Sequence, residues 1–241
     1  MDISSQTEAR SLECRLTSEL MTQAADFVHF VDISTLPKKQ TRHCPGAILI
    51  GIALSKDFLK KITHTPDYVK NMIRDHDFDG DEVLQEETQA DRLADHIAGH
   101  LTSKGYAAYS QSEESNEAAG LFDETTKTSL LPHKTIARLA GLGWIGKHNL
   151  LVTQEFGSAI CMCTVLTDAP LKSVSSTPES PHCGDCHVCQ DICSVKAILG
   201  NTWRINTTRD ALVDVHKCVT CLECLVLCPW TQRYMNRNTR K

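Results

Sequence analysis

Cys183-Gly184-Asp185-Cys186-His187-Val188-Cys189-Gln190-Asp191-Ile192-Cys193 spaces four cysteines as C-x2-C-x2-C-x3-C. The same spacing returns at Cys218-Val219-Thr220-Cys221-Leu222-Glu223-Cys224-Leu225-Val226-Leu227-Cys228, followed by Pro229. Eight of the 12 cysteines in this chain of 241 residues lie in these two runs. That total is below the roughly 8–10% of a disulfide scaffold, and cysteines so clustered point to metal binding or chemistry.

Two-residue spacers let a chain wrap one cube corner by corner, and this is the ligand spacing of two-cluster bacterial ferredoxins. In that pattern three thiolates of each run hold one [4Fe–4S] cube and the fourth reaches the other. The expected ligation is therefore crossed: Cys183, Cys186, Cys189 and Cys228 at one cluster, and Cys218, Cys221, Cys224 and Cys193 at the other. Paired C-x2-C motifs also build tetrahedral zinc sites, but zinc would leave the third and fourth cysteines of each run surplus. Ser194 stands where a proline usually follows the first run, which removes no ligand. Ala197-Ile198 and a strand at Trp203-Arg204-Ile205 are expected to cover the clusters with apolar surface.

Hydrophobic residues make up 41%, charged residues 23% and aromatics 5%, the composition of a globular chain and not of a collagen-like or disordered one. No apolar run approaches the ~20 residues of a membrane helix, and the N-terminus has no signal-peptide pattern, so a cytoplasmic chain without membrane contact is expected. Residues 1–172 carry 17 Lys and Arg against 24 Asp and Glu, while residues 173–241 carry 8 against 6. The balance changes across the Ser/Pro-rich stretch from Lys172 to Pro181. Three parts follow: an α/β domain over 1–172, a linker over 173–182 and a two-cluster domain over 183–241. The tail residues Arg233, Arg237, Arg240 and Lys241 read as a solvated chain end.

In the first part, periodicity predicts a helix over Thr17–Phe30 and a strand buried on both faces over Ala47–Leu54. A long helix is predicted from Val83 to Lys104, capped by Gly105, then a short strand at Tyr106–Tyr109. A helix opens at Pro132 and runs to about Ala140. Leu150–Thr153 and Ala159–Thr167 read as a hairpin across Gly157-Ser158.

Other motifs are weaker. Gly141-Leu142-Gly143-Trp144-Ile145-Gly146-Lys147 satisfies both G-x-G-x-x-G and G-x-x-x-x-G-K. Both nucleotide motifs need a preceding strand and a following helix, whereas here a helix precedes and His148 replaces the P-loop hydroxyl. The turn reads instead as a place where backbone approaches a flat cofactor or cluster. Asp75 to Glu86 fits the EF-hand calcium spacing, but no second loop exists to pair with it, and an acidic helix start explains the same residues. His96 and His100 read as an exposed helix face, and Cys161 and Cys163 as buried inert thiols.

The run from Pro132-His133-Lys134 through Gly141-Leu142-Gly143-Trp144-Ile145-Gly146-Lys147, the Gly157-Ser158 turn, Leu166-Thr167-Asp168 and the double cysteine pattern together resemble epoxyqueuosine reductase. More distantly the chain resembles the reductive dehalogenases. The resemblance implies a nitroreductase-like α/β domain that binds cobalamin, followed by a bacterial ferredoxin-like 2[4Fe–4S] domain that feeds it electrons from a soluble donor such as ferredoxin or flavodoxin. Gly141, Gly143, Trp144, Gly146 and Lys147 would then lie against the corrinoid and the nearer cluster.

Two departures stand out. The sequence ends at Lys241, without the helical-repeat region associated with tRNA in those enzymes. Ser129-Leu130-Leu131-Pro132 occupies the place of the family's Asp-x-x-Pro. The expected function is a reductase acting on a small molecule and not on tRNA, with His133 as replacement acid because an ordinary imidazole pKa of ~6.5 suits proton transfer. The alternative is a relay protein passing electrons to a partner enzyme or corrinoid protein. A flavin has no visible motif.

Overall fold

The computed structural model describes residues 3–174, 176–177 and 179–237, with side chains from residue 10 onward. Its elements in chain order are α1 (Ile3–Thr22), β1 (Phe27–Asp32), β2 (Gly46–Ala53), α2 (Lys56–His64), α3 (Tyr68–Arg74), α4 (Glu82–Ser103), β3 (Ala108–Ser110), α5 (Glu113–Ala118), β4 (Phe122–Asp123) and β5 (Thr128–Ser129). There follow α6 (His133–Leu139), β6 (Gly143–Ile145), β7 (Leu151–Thr153), β8 (Ile160–Thr167), α7 (Val188–Ile192), α8 (Glu223–Val226) and α9 (Pro229–Asn236). The fold is mixed α/β with small sheets, as expected. No helix among the described residues is long and apolar enough to cross a membrane.

Two compact units divide the chain. The first takes the chain up to Ile52 with Glu86–Gly141 and Cys161–Thr177; the second takes Ala53–Gln85, Leu142–Ile160 and the described residues from 179 on. One break thus falls within the Ser/Pro-rich stretch, while residues 53–85 and 142–160 cluster with the cysteine runs and not with the neighbours that sequence order suggested.

In the first unit the strand order is β1-β2-β8-β3, with β1 antiparallel to β2 and β3 antiparallel to β8. β2 is buried along nearly its whole length, the expected two-sided strand. Leu12, Leu16 and Leu20 of α1 and Leu93, Ala94, Ile97 and Leu101 of α4 pack with Ile48, Ile50, Ile52, Cys163 and Val165 of the sheet. Burying an aliphatic side chain of this size contributes about 1.5–3 kcal/mol, so these residues dominate the core.

Three predicted elements differ. The helix expected over 17–30 ends at Thr22, because Ala24 takes a left-handed backbone (φ 79°) and Phe27–Asp32 pair in register with Gly51–Gly46. Sheet pairing overrides the local helical period there. The expected hairpin across Gly157 does not form: β7 pairs with β6, and β8 joins the four-stranded sheet. Trp203–Ile205 is not a strand, and Ile205 is 77% exposed, so it covers nothing; Ala197 and Ile198 are buried as expected.

Candidate functional site

All eight clustered cysteines belong to the second unit, where short helices bring the runs together. Cys189 lies on α7, Cys224 lies on α8, and Cys228 caps the N-terminus of α9 with Pro229 at its first turn. Proline suits that position because its missing N–H would have no partner there. Cys183, Cys186, Cys189 and Cys228 line one cavity of about 190 Å³ together with Lys147, His148, His182, Trp230 and Arg233. Burial, and then the neighbouring sulfurs of Cys183, Cys228 and Cys186, push the Cys189 thiol up to about 11. Burial also raises Cys228, against the backbone N–H groups of Trp230 and Thr231, which hydrogen-bond its sulfur.

The other four gather around Cys224, next to Cys189 of the first set. Burial pushes the Cys224 thiol up to about 12, and the sulfurs of Cys221, Cys189, Cys218 and Cys193 add to it. Burial likewise raises Cys221, opposed by a hydrogen bond from the Glu223 backbone N–H, while the Glu223 charge and the sulfurs of Cys218 and Cys193 add to the rise. Cys189, Cys193, Ala197, Ile198 and Val213 form the small apolar core beneath, closed by a bridge between Ile198 and Val213. Cys218 is exposed, whereas Cys189, Cys193 and Cys228 are buried. Burial and the neighbouring sulfurs keep these thiols protonated, so they would become thiolates together only with a cationic metal centre among them.

The Gly-rich turn leads directly to the first set. Gly143 and Ile145 flank Trp144 on β6, and a Cβ at Gly143 would lie 2.0 Å from the carbonyl oxygen of Val152 on β7. A Cβ at Gly146 would lie 2.7 Å from the His148 ring. These glycines therefore permit close packing of the turn on itself. Lys147 reaches out and donates to the carbonyl oxygens of both Gly184 and Cys186, each at 2.9 Å. Trp144 is fully buried, edge-on to His182 and Trp230 with centroids 4.8 Å from each. Its indole N–H has no hydrogen-bond partner among the described residues.

No family model matches the chain. Among curated proteins, an epoxyqueuosine reductase of Xanthomonas campestris pv. campestris is 34% identical over 115 residues, covering 41% of this chain and 32% of that protein. That of Atelocyanobacterium thalassa is 30% identical over 132 residues, covering 44% and 40%. Over these stretches the chain is similar to the epoxyqueuosine reductases. The matches span two fifths or less of those proteins. Among solved structures, epoxyqueuosine reductase from Streptococcus thermophilus superposes with a TM-score of 0.55 at 16% identity, covering 91% of this chain and 66% of that one. A reductive dehalogenase superposes with a TM-score of 0.61 at 18% identity, covering 86% and 30%.

Ser129 lies on the two-residue strand β5, opposite Phe122. His133 opens α6, and its Nδ1 lies 3.0 Å from the hydroxyl of buried Thr164. Burial lowers the His133 pKa below 6.5, opposed by the Asp91 charge. The expected acid role rested on an unperturbed imidazole; a ring kept neutral near pH 7 orients its partner or accepts a proton and does not readily deliver one. Cys161 and Cys163 are buried as expected; burial raises the Cys163 thiol, and the Asp91 charge and a hydrogen bond to Asp91 raise it further.

Among the described residues no three His, Cys, Asp or Glu side chains gather as a single ion would require. In the calcium-like loop Asp75 pairs with Arg74, Asp81 caps Leu84, and the carboxylate of Glu82 holds Ser55. His96 bonds Glu19 at 2.6 Å and is not paired with His100. Sequence reasoning missed the parts played by His182, Trp230 and Arg233, although His182 adjoins Cys183 and Trp230 follows Cys228-Pro229. Adjacency to a ligand cysteine was the available signal.

Proposed function

We propose that this chain is an iron–sulfur oxidoreductase whose two cysteine quartets hold two [4Fe–4S] clusters. The single observation that carries the reading is that Cys228 of the second run lines one cavity with Cys183, Cys186 and Cys189 of the first. The donor set suits iron–sulfur chemistry, since all four groups converging on the first cavity as ligands are thiols. When bound, the clusters supply one-electron transfer. The protein's own part is to bury them, to orient the Cys183–Cys186 loop through Lys147 and to pack Trp144, Trp230 and His182 beside the first.

Electrons would come from a soluble donor of the ferredoxin or flavodoxin class and leave to a small-molecule substrate. Cobalamin enters the proposal through the neighbours, one of which is described as performing B12-dependent dehalogenation. The Gly141–Lys147 turn does not offer it a glycine cradle, because the room at Gly143 and Gly146 is taken by Val152 and His148. No step is routed through it. The small-molecule reading is supported by Ser129, where the resemblance expects a carboxylic acid worth ~10²–10⁴-fold in rate. It is also supported by the acidic balance of residues 1–172, which repels a polyanion.

Anaerobic reconstitution with iron and sulfide, followed by metal analysis and EPR, tests the cluster reading. About eight iron atoms per chain are expected. Zinc without iron after anaerobic purification would overturn it. An anaerobic assay with reduced donor, cobalamin and epoxyqueuosine-containing tRNA tests the substrate, and conversion to queuosine would overturn the small-molecule reading.

A further inference from the structure

We infer, resting on the two-cluster reading, that Lys147 is the positioning residue that makes the cluster of Cys183, Cys186, Cys189 and Cys228 the higher-potential member of the pair. Electrons then run toward that cluster from the one held by Cys218, Cys221, Cys224 and Cys193.

The two surroundings carry opposite charge. Lys147 donates to the Gly184 and Cys186 carbonyl oxygens at 2.9 Å, so its ammonium is held against the loop between two ligands. Arg233 lines the same cavity 4.4 Å over the Trp230 ring but is itself exposed, so Lys147 is the cation that counts there, and no carboxylate lines the cavity. Nearby acids are engaged or exposed: Glu179 pairs with His182 at 2.8 Å, Asp191 pairs with His187, and Asp185 faces water, which screens its charge. Beside Cys221 the cavity of about 330 Å³ is lined instead by Glu223 and Asp67 against Lys70. Lys70 is paired with Asp67, which leaves the Glu223 carboxylate as the remaining charged group on that lining. Of the cations near that set, Lys217 is paired with Asp214 at 3.2 Å and Lys196 is exposed.

Reduction adds one negative charge to a cluster. A fixed cation a few ångströms away stabilises the reduced form and raises the potential, and a fixed anion does the reverse. Two 2.9 Å bonds also hold the loop carbonyl oxygens toward the ammonium and so away from free reorientation about the cluster. The step is a single electron, leaving a reduced second cluster and arriving at an oxidised first; no bond forms or breaks, and no proton moves. The initial reductant is the one-electron donor class already named.

The test is an EPR-monitored redox titration of the reconstituted full chain. The wild type should show two reduction waves. Lys147→Gln and Lys147→Met should shift the higher wave downward and leave the lower in place. Lys147→Arg, which keeps the charge, should leave both near wild type. Glu223→Gln should move the lower wave upward and narrow the gap. If neither wave moves in either neutral Lys147 variant at full iron content, or if the lower one moves instead, Lys147 does not have this role. A wild-type chain that takes up no iron would overturn the inference together with the reading beneath it. Two normal clusters with unshifted waves would overturn the inference alone.

Discussion

Gly157 and Thr231 are packed so closely that a Cβ on Gly157 would lie 2.3 Å from the Thr231 backbone nitrogen. The Thr231 hydroxyl, fully buried in the first turn of α9, accepts a 3.0 Å hydrogen bond from the Ser158 N–H. Gly157 also takes a left-handed backbone (φ 60°) that a side chain would strain. The pair seats the start of α9, the turn that carries Cys228, against the loop after β7. Replacing Gly157 by Ala should therefore destabilise the second unit by roughly 2–5 kcal/mol, combining overpacking with backbone strain. Chemical denaturation of the reconstituted chain measures this, and iron lost first from the Cys183 quartet is the accompanying expectation. A variant as stable as wild type would show that the contact relaxes freely.

Cys193 gives a second prediction. It follows α7 in the first run, yet its sulfur acts on Cys221 and Cys224 of the second. Cys193→Ala should impair the cluster of Cys218, Cys221 and Cys224 and spare the other, read by EPR and by roughly halved iron content. Selective damage to the Cys183 quartet would contradict the crossed assignment.

The histidines of the first unit predict a pH dependence. Burial lowers the pKa of both His133 and His29. Below about 6.5 the unfolded chain binds protons that the folded chain does not, so the folded state loses stability as pH falls from 6.5 toward the folded values. Above 6.5 both forms are neutral and the effect is absent. Melting temperature should drop between pH 7 and pH 5.5, and His133→Asn should flatten that slope while lowering the plateau. An equal slope in the variant would locate the dependence elsewhere.

The remaining cysteines should differ in reactivity. Cys44 is buried, and its thiol is pushed up to about 11 by burial, with the Asp168 charge adding and Arg42 opposing. Cys163 is fully buried and raised as well, whereas Cys14 is exposed. Since the thiolate is the nucleophile, iodoacetamide at pH 8 should label Cys14 at least tenfold faster than Cys44 or Cys163 in the loaded chain. Peptide mapping by mass spectrometry reads the order, and prompt labelling of Cys163 would show that the first unit opens.

What could be read in sequence were the features whose signal is local. Cysteine spacing named the candidate ligands, the run Ala47–Leu54 announced a two-sided strand, and the period from Val83 to Lys104 marked α4 within a residue at each end. Tertiary structure decided what depends on partners distant in sequence. Whether Phe27–Asp32 is helix or strand turned on the register offered by Gly46–Gly51, and β7 chose β6 over β8 because Gly143 allows the two backbones to meet. The lysine that mimics a phosphate-binding motif became a clamp on Gly184 and Cys186 only once residues 142–160 had folded with the cysteine runs. The pKa of His133 was likewise invisible in sequence, since a shift by burial is a property of the surroundings and not of the residue.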